Sequence, residues 1–282
     1  MFVFTAAVVG AGTMGGEIAQ TIAAADIPVV LKDVDENFVQ QGLEKARSIW
    51  QGRVDAGKLD PGERDRQFAL ITGTTGYEAF GNVDFVIEAV PERMEIKQTV
   101  FSELDEVTPG HAILASNTSL LSITEIGEAT GRPDRVAGFH FFPASAMRVI
   151  EIVEGQDTSM ETAQTAANFA SAIRKMPIRC GEAPGFVVNR ILNAAVSELW
   201  RYQVETGIAI PELDRAVTEA KAAPMGPFYL TDLLGLDTVL HVAEHLHEAY
   251  GERFFMHPEL QALVAAGDLG AKTGKGFYEH PR

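Results

Sequence analysis

The 282-residue sequence predicts an α/β protein: a doubly wound parallel sheet with an inserted helical hairpin, followed by an all-helical C-terminal domain. Three observations lead to this prediction. Short β-branched runs alternate with helical stretches in the first half of the chain, which is the pattern of βαβ units. One helix-forming stretch, over 36–70, is too long for an ordinary crossover helix. Beyond residue 183 helical periodicity dominates, so we expect one domain at 1–183 and a second at 184–282.

Six short segments rich in β-branched and apolar residues are predicted to be the strands of the sheet. They are Thr5–Val9, Pro28–Asp33, Val83–Val90, Ala112–Ser116, Val136–Phe141 and Val149–Val153. The helix-forming stretch from Glu36 to about Leu70 is interrupted at Gly57 and again at Asp60-Pro61-Gly62. Because Gly and Pro interrupt helices, we interpret this stretch as a helical hairpin inserted after the second strand.

The C-terminal domain is predicted to follow a break in character at Ala183-Pro184-Gly185. Apolar residues at helical spacing continue from there. The predicted helices are Val188–Glu205, Pro211–Ala223, Tyr229–Tyr250 and His257–Ala266. A strand pattern returns only at Gly276-Phe277-Tyr278, close to the end of the chain.

The composition and the charge argue against several classes of partner. Hydrophobic residues make up 46% of the chain, and no apolar run is long enough to cross a bilayer. The formal net charge of −16 argues against nucleic acid and anionic membranes, because both require a basic face. The chain begins without the basic segment of a signal peptide, and its single cysteine, Cys180, fits a reducing compartment. We expect a cytoplasmic protein, and no cluster of metal ligands stands out.

One segment departs from the acidic character of the chain. Residues 41–66, within the predicted hairpin, hold six cations against five anions. A near-neutral segment of this kind is either a solvated hairpin of mixed charge or a place where a polyanionic ligand binds. The composition alone leaves both interpretations open.

A glycine-rich segment, Gly10-Ala11-Gly12-Thr13-Met14-Gly15, follows the first predicted strand and opens a helix. In this pattern Gly10 permits a tight turn, Gly12 lets the backbone approach a pyrophosphate, and Gly15 permits close packing of the helix on the strand. The N–H groups at the beginning of the helix then provide a binding site for phosphate. The segment predicts a dinucleotide site.

An acid at the end of the second predicted strand supports this prediction and selects the cofactor. Asp33 follows Gly15 by 18 residues, where a carboxylate accepts hydrogen bonds from the adenine ribose. A carboxylate at this position repels a 2′-phosphate, so NAD is predicted rather than NADP. Lys32 is the neighbouring residue, but neighbours on a strand point to opposite faces. Together the strand, glycines, helix and acid predict a Rossmann-type domain.

Four polar residues are candidates for the chemistry: Ser119, His140, Glu151 and Asn189. Each has an ordinary alternative explanation. A histidine among aromatic residues is often a core residue, and a glutamate in an apolar strand can pair with a cation. The serine and the asparagine can each cap a following helix. Together, they predict a histidine–carboxylate pair at the carboxyl end of the sheet, where such folds bind ligands.

At this point the sequence resembles the L-3-hydroxyacyl-CoA dehydrogenases, nearly from end to end. The matching segments are 10–15, 31–33, 87–97, 116–119, 140–142, Glu151, 184–190, 224–228 and 272–278. Several of these segments are short, but they occur in the same order as in the family over the whole chain, and together they are specific for it. The resemblance is closest to the dehydrogenase region of bacterial multifunctional fatty-oxidation proteins, whose hydratase region is absent here.

The resemblance implies roles for the site residues. His140 would be the general acid/base, Glu151 its orienting partner, and Ser119 and Asn189 would place the substrate oxygens. Near the cofactor it implies Glu92, Lys97 and Ser119 at the nicotinamide ribose, and Lys272 as a further contact. It also implies NAD as cofactor, an acyl-CoA substrate, a homodimer and a place in fatty-acid β-oxidation.

The sequence departs from the family pattern at two places. The family usually has Asn-Pro after His-Phe-Phe, whereas here Pro143-Ala144 follows directly and the spacing from His140 to Glu151 is one residue shorter. In the hairpin, Ala46 replaces a serine that contacts CoA in the family, and Arg53 replaces a lysine. An arginine can still bind a phosphate, and in a bidentate way.

Three functions remain open. The first is NAD-dependent oxidation of an L-3-hydroxyacyl-CoA to the 3-ketoacyl-CoA, which the near-neutral hairpin favours. The second is oxidation of a free hydroxyacid or sugar acid, which needs no such hairpin. The third is a dinucleotide-binding protein without catalysis. The presence of all four polar residues argues against the third function, whereas the shortened loop after His140 favours it.

Overall fold

The computed structural model describes residues 2–144 and 147–281. The chain divides into two compact units, Met1–Glu182 and Ala183–Arg282. We call them the N-terminal unit and the C-terminal unit. None of the helices in the described ranges is both long and apolar enough to cross a membrane.

The N-terminal unit is built on one eight-stranded sheet. Its strands are β1 (Ala6–Val9), β2 (Val29–Lys32), β3 (Ile71–Thr74), β4 (Phe85–Glu88), β5 (Ile113–Ser116), β6 (Val136–Phe141), β7 (Val149–Glu154) and β8 (Met176–Gly181). Their order in the sheet is β3-β2-β1-β4-β5-β6-β7-β8. The order reverses direction at β1, and folds of this kind bind ligands in the crevice at such a point, beyond the carboxyl ends of the strands.

Within the part of the chain that the structure describes, six α-helices lie between these strands. They are α1 (Thr13–Ala23), α2 (Glu36–Asp55), α3 (Pro61–Phe68), α4 (Met94–Val107), α5 (Ile123–Gly127) and α6 (Met160–Ala172). The predicted α/β fold with an inserted hairpin is confirmed, and the hairpin consists of α2 and α3. Asp35 and Asp60 cap these two helices by accepting the backbone N–H groups of Asn37 and Gly62.

The interior strands are buried along their whole length. β1, β2, β4, β5 and β6 have no exposed residue. An aromatic cluster of Phe85, Phe139 and Phe169 joins β4, β6 and α6, with ring centroids 4.6–5.8 Å apart. Helices on both faces cover such a sheet, which explains why these strands are near-continuous apolar runs in the sequence.

Three features of the sheet differ from the prediction. β3 and β8 were not predicted, because they are edge strands in which most residues are exposed or half-buried and no apolar run marks them. β7 is antiparallel to β6, although a parallel sheet was expected. Only residues 142–148 connect these two strands, and a parallel pair needs a crossover of about a dozen residues or more.

The C-terminal unit is helical, as predicted. Its helices are α7 (Val188–Thr206), α8 (Ile210–Glu219), α9 (Pro227–Leu234), α10 (Leu236–Tyr250) and α11 (Pro258–Ala266). The prediction of a single helix over Tyr229–Tyr250 is wrong. Gly235, with φ of 93°, separates α9 from α10, because a residue in that conformation cannot continue an α-helix.

The expected strand at Gly276-Phe277-Tyr278 is also wrong. The segment forms turns with two isolated bridges, Gly270 to Lys275 and Lys275 to Glu279. The backbone N–H groups of Phe277 and Tyr278 donate to the buried carboxylate of Asp232, each at 2.9 Å, instead of to a neighbouring strand. The carboxylate of Asp232 therefore takes the place of the neighbouring strand that the apolar pattern predicted as the hydrogen-bond partner.

Candidate active site

The candidate residues of the N-terminal unit follow the carboxyl ends of adjacent parallel strands. Gly10 follows β1, Asp33 follows β2, and Glu92 lies in the loop after β4. Ser119 follows β5, and His140 lies near the end of β6. Because β2, β1, β4, β5 and β6 run in the same direction, these residues share one edge of the sheet. Glu151 reaches that edge from the antiparallel β7.

The glycine turn after β1 leaves room for a diphosphate. Gly10 has φ of 98°, and a Cβ there would lie 2.5 Å from the carbonyl oxygen of Ala89. A Cβ on Gly15 would lie 1.7 Å from the carbonyl oxygen of Gly10. At Gly12, by contrast, a Cβ would meet no protein atom within 4 Å. Helix α1 begins at Thr13 with no side-chain cap and no acid in its first turn, so its first N–H groups suit a phosphate.

Asp33 is held against this turn. Its Oδ2 accepts the backbone N–H of Ala11 at 2.6 Å, and its Oδ1 accepts that of Val34 at 2.7 Å. The neighbouring Lys32 is only 5% exposed, and its ammonium lies 4.3 Å from the centre of the Tyr77 ring. Lys32 therefore contacts Tyr77, whereas Asp33 contacts the glycine turn.

A cleft of about 400 Å³ opens at the end of β2. Its lining combines the carboxylate of Asp33 with apolar and aromatic surface. The lining includes Val9, Gly10, Val34, Tyr77, Val90, Ile96 and Val100. Lys32, Glu95 and Glu103 also line the cleft. Apolar and aromatic walls beside the carboxylate of Asp33 suit an adenosine, whose base is flat and whose ribose offers hydroxyl donors. The glycine turn and this cleft thus fit the diphosphate and adenosine parts of NAD.

His140 and Glu151 are in direct contact. The two residues face each other in the antiparallel register of β6 and β7, and His140 Nδ1 lies 2.7 Å from Glu151 Oε2. Their exposures are 3% and 0%. On the other side of the imidazole, Nε2 lies 3.2 Å from the hydroxyl of Ser119. The sheet thus places a serine, a histidine and a carboxylate in series.

Glu92 holds the turn that carries Ser119. Its Oε1 accepts the hydroxyl of Thr118 at 2.6 Å and the backbone N–H groups of Ser119 and Leu120 at 2.8 and 3.2 Å. Its Oε2 lies 3.3 Å from the ammonium of Lys97, which is only 1% exposed. Lys97 also contacts Glu88 Oε1 at 2.7 Å. Glu92 and Lys97 are therefore tied into the protein beside Ser119, the third residue expected at the nicotinamide ribose.

Glu88, which the sequence analysis did not single out, is the most deeply buried member of this group. It ends β4, has 0% exposure, and accepts the hydroxyl of Ser116 at 2.6 Å and the backbone N–H of Val90 at 2.7 Å. Burial raises the pKa of Glu88, and the ammonium of Lys97 opposes that rise. The signal in the sequence was an acid within the apolar run of the predicted strand Val83–Val90.

Asn117 was also missed. The β5–β6 pairing ends at Ser116 opposite Gly138, but Asn117 Oδ1 accepts the backbone N–H of Phe141 at 2.8 Å. A side chain thus extends the contact between the two strands next to His140. Its place in the segment 116–119, directly after a strand, was the only signal.

The loop between β6 and β7 is tied to Lys175. Its ammonium donates to the carbonyl oxygen of Ala144 and, at 2.7 Å, to that of Met147. Pro143 is exposed. Residues 145 and 146 of this shortened loop lie outside the described residues.

The remaining predicted residues lie elsewhere in the chain. Arg53 is exposed in the last turn of α2, and its guanidinium makes no ion pair within the described ranges. Asn189 and Lys272 belong to the C-terminal unit. Asn189 lies in the first turn of α7, and the ammonium of Lys272 pairs with the carboxylate of Asp237. The predicted contacts of these three residues with substrate and cofactor stay predictions.

Comparisons with known proteins identify the family. Residues 5–183 match the NAD binding domain of 3-hydroxyacyl-CoA dehydrogenase, and residues 185–280 match the C-terminal domain of the same family. The 3-hydroxybutyryl-CoA dehydrogenase of Clostridioides difficile is 39% identical over 276 residues, covering 97% of this chain and 98% of that protein. The crystal structure of (S)-3-hydroxybutyryl-CoA dehydrogenase PaaH1 from Ralstonia eutropha superposes with a TM-score of 0.93 at 35% identity, over 100% of both chains.

Longer relatives match over part of their length. The fatty acid oxidation complex subunit alpha of Pseudomonas savastanoi pv. phaseolicola is 38% identical over 278 residues, which are 98% of this chain and 38% of that protein. The resemblance inferred from the sequence motifs is confirmed. Because both domains match in order and over nearly the whole length, the chain belongs to the 3-hydroxyacyl-CoA dehydrogenase family.

Proposed function

We propose that this protein oxidises an L-3-hydroxyacyl-CoA to the 3-ketoacyl-CoA with NAD, and catalyses the reverse reduction. The observation that carries the proposal is the series of contacts from Ser119 through His140 to Glu151, at the carboxyl edge of an NAD-binding sheet. Relatives named 3-hydroxybutyryl-CoA dehydrogenase support the substrate class.

The reaction needs a base beside a hydride acceptor. As the C3 hydroxyl becomes a carbonyl, one hydride leaves C3 and one proton leaves the oxygen; bound NAD supplies the hydride acceptor. His140 receives the proton at Nε2, because its Nδ1–H donates to Glu151 and fixes the tautomer. Imidazole suits this role because it titrates near neutral pH. Ser119, next to Nε2, holds the substrate oxygen in reach of the base.

Glu151 orients the imidazole and balances its charge after proton transfer. A carboxylate with no exposure is costly to bury unless it is paired. Protonation of His140 turns the hydrogen bond from a neutral imidazole to the carboxylate into an ion pair in a low-dielectric environment, which stabilises the imidazolium.

A serine, histidine and acid in series also form the triad of serine hydrolases, but the surrounding donors oppose that chemistry. A hydrolase needs free N–H groups to stabilise an oxyanion. Here the N–H groups of Ser119 and Leu120 donate to Glu92, and that of Leu121 donates to the hydroxyl of Thr118 at 2.9 Å. A carboxylate beside Ser119 would repel an oxyanion. The arrangement therefore favours proton transfer over acyl transfer.

For the cofactor, we propose that Asp33 binds the adenine ribose, and that Glu92, Lys97 and Ser119 border the nicotinamide ribose. Lys272 is proposed as a further contact from the C-terminal unit. The support for Asp33 is its anchored position beside the glycine turn and the adjoining cleft. A carboxylate there disfavours the 2′-phosphate of NADP.

For the substrate, the charges on the hairpin support CoA over a free acid. Arg64 and Arg66 are paired with acids, and Lys45 is paired with Glu17. Arg53 and Lys58 are exposed and have no ion pair among the described residues. Cations that are not neutralised by neighbouring acids are available to the phosphates of CoA, and we propose Arg53 as one contact. Asn189 is proposed to place a substrate oxygen.

We also propose a homodimer located in the cytoplasm. Large apolar side chains are exposed in the C-terminal unit, including Ile191 on α7 and Leu233 on α9 at 66% and 46%. Contiguous exposed apolar surface is typical of subunit interfaces. Light scattering on the purified protein tests the dimer: a mass of one chain would exclude it.

The experiment that tests the proposed function compares two substrates on the same preparation. Oxidation of NADH is followed with acetoacetyl-CoA and with free acetoacetate. We expect turnover with acetoacetyl-CoA and a value of kcat/KM at least about tenfold lower for the free acid, since the free acid lacks the CoA contacts. Similar efficiency with both would favour the free-hydroxyacid function. NADH binding without turnover on any 3-ketoacyl-CoA would favour a non-catalytic protein.

A further inference from the structure

Glu88 is a buried carboxylate beside the proposed site, and the reaction described above does not use it. Three elements donate to it. Oε1 accepts hydrogen bonds from Lys97 Nζ on α4 and from the N–H of Val90 in the loop after β4, each at 2.7 Å. Oε2 accepts the hydroxyl of Ser116 on β5 at 2.6 Å. Neither Glu88 nor Lys97 is more than 1% exposed, so this ion pair is not part of the solvated surface.

Two chains of contacts connect Glu88 with the turn that carries Ser119. In the first, Lys97 bridges Glu88 Oε1 and Glu92 Oε2, and Glu92 Oε1 accepts the N–H of Ser119 at 2.8 Å. In the second, the hydroxyl of Ser116 donates to Glu88 and accepts the N–H of Thr118 at 3.2 Å. Glu88 thus supports that turn through both α4 and β5.

We propose that Glu88 is a positioning residue for hydride transfer, which acts through Lys97, Glu92 and Ser116 to hold the hydroxyl of Ser119 against His140. The proposal rests on the proposed function, because it assigns Glu88 to that reaction. Ser119 Oγ lies 3.2 Å from His140 Nε2, where the substrate oxygen must also be held. A displacement of about 1 Å at such a point can reduce the rate by about 10²-fold.

The charge of Glu88 matters because Lys97 lies between two acids. The ammonium is closer to Glu88, at 2.7 Å, than to Glu92, at 3.3 Å. Without the charge of Glu88, the ammonium has only Glu92 as its counter-ion among these contacts. We expect Lys97 then to draw the carboxylate of Glu92 towards itself and away from the N–H groups of Ser119 and Leu120. Burial raises the pKa of Glu88, and the ammonium of Lys97 opposes that rise.

The test variant is Glu88→Gln, which keeps the shape of the side chain and removes its charge. Asp105→Asn is the matched control. Asp105 lies on the same helix, α4, and pairs with Arg132 at 2.8 Å, but it is near the end of α4 that is remote from Lys97. Both variants lose a carboxylate with an ion-pair partner, and the unfolding temperature of each separates a loss of stability from a loss of kcat.

The measurements are the thermal unfolding temperature, the Kd for NADH, and kcat and KM with acetoacetyl-CoA well below the unfolding temperature. For Glu88→Gln we expect kcat to fall about 10- to 100-fold with KM for acetoacetyl-CoA changed less than about threefold. For Asp105→Asn we expect kcat within about twofold of the wild type. A merely structural role would lower the unfolding temperature of Glu88→Gln and leave kcat and KM alike unchanged.

Should Glu88→Gln fail to fold, Ser116→Ala removes one of the two chains of contacts and is expected to lower kcat about three- to tenfold. A folded Glu88→Gln, or in its absence a folded Ser116→Ala, with kcat within twofold of an active wild type overturns the inference and leaves the proposed function intact. A wild type that binds NADH and turns over no 3-ketoacyl-CoA overturns both.

Discussion

His140 and Glu151 are opposite residues of an antiparallel strand pair, and both are almost completely withdrawn from solvent. The register of β6 and β7 decides their contact, since a slip by one residue would turn each side chain to the other face. The short loop between these strands limits such a slip. The missing family residue after Phe142 therefore leaves this pair in contact, at 2.7 Å.

The first prediction concerns the acid/base pair. His140→Gln should lower kcat by about 10²–10⁴-fold, because that is the typical contribution of a general base, while the Kd for NADH changes little. Glu151→Gln should also lower kcat, because the imidazole loses its charge partner. The control is His111→Gln. His111 contacts Asp84 at 3.1 Å, and both residues precede the strands β5 and β4, at the edge of the sheet opposite His140. Near wild-type turnover of His140→Gln would make His140 a core residue and refute the mechanism.

The second prediction concerns the choice of cofactor. The wild type should prefer NAD to NADP in kcat/KM, and Asp33→Ala should narrow this preference mainly by weakening the affinity for NAD. The physical reason is the carboxylate, which accepts ribose hydroxyls and repels a 2′-phosphate. Initial rates with both cofactors measure the ratio. Equal efficiency of the wild type with NAD and NADP would contradict the role of Asp33.

The sequence singled out those candidate site residues whose place is evident from the residues next to them along the chain. The glycines of the turn follow β1, Asp33 follows β2, and His140 is a polar residue within the apolar strand β6. Glu88 and Asn117 carry comparable marks but were missed. The importance of Glu88 depends on its contacts with Lys97 on α4 and Ser116 on β5, and that of Asn117 on its contact with β6. The same applies to Glu92, whose Oε1 is occupied by the turn at Thr118–Leu120.

The hairpin of α2 and α3 is the element that we propose distinguishes CoA from a free acid. Arg53→Ala should raise KM for acetoacetyl-CoA about two- to fivefold, which corresponds to about 0.4–1 kcal/mol for an exposed charge contact, and leave the Kd for NADH unchanged. Higher salt should partly reproduce the effect in the wild type. Arg66→Ala is the control, because Arg66 is already paired with Asp26 and Glu63. An unchanged KM for Arg53→Ala would favour a solvated hairpin.

Helix α11 depends on a neutral histidine. His257 Nδ1 accepts the N–H of Glu259 at 3.2 Å, its Nε2–H donates to Gln203 at 2.8 Å, and burial lowers the pKa of His257 to about 4. The unfolded chain binds a proton at this residue near pH 6.5, whereas the folded protein binds it only near pH 4. The contribution to stability is therefore fully present above pH 6.5 and is lost as the pH falls from 6.5 towards 4.

We accordingly expect the free energy of unfolding to fall on acidification, with His257 contributing at most about 1.4 kcal/mol per pH unit in this range. His257→Asn keeps a capping acceptor and removes the titration, so its unfolding free energy should depend less on pH than that of the wild type. Denaturant unfolding of both proteins at several values between pH 7.5 and 5 provides the comparison. Equal pH dependence of both would show that His257 does not contribute.

At the level of elements, predictions succeeded where burial is complete. Interior strands such as β4 and β6 are apolar on both faces and therefore visible in the sequence. The edge strands β3 and β8 are not, and the break at Gly235 was hidden inside a continuous helical pattern. The expected strand at the end of the chain failed because Asp232, 44 residues before Gly276, takes its N–H groups.

At the scale of the whole molecule, the chain combines an NAD-binding domain with the C-terminal domain of the same family, in the order and at nearly the full length of 3-hydroxybutyryl-CoA dehydrogenases. The N-terminal unit alone holds the glycine turn, Asp33 and the pair of His140 and Glu151. The defining step of the proposed reaction is the transfer of a hydride between cofactor and substrate.

That transfer can be measured directly with isotopically labelled cofactor. The protein is incubated in ordinary water with acetoacetyl-CoA and NADH that carries deuterium at both C4 positions, and the product is analysed by mass spectrometry and NMR. We predict L-3-hydroxybutyryl-CoA with one deuterium at C3 and a hydroxyl proton that comes from water through His140. Bound NADH without product, or a product that carries no deuterium at C3, would contradict hydride transfer at this site.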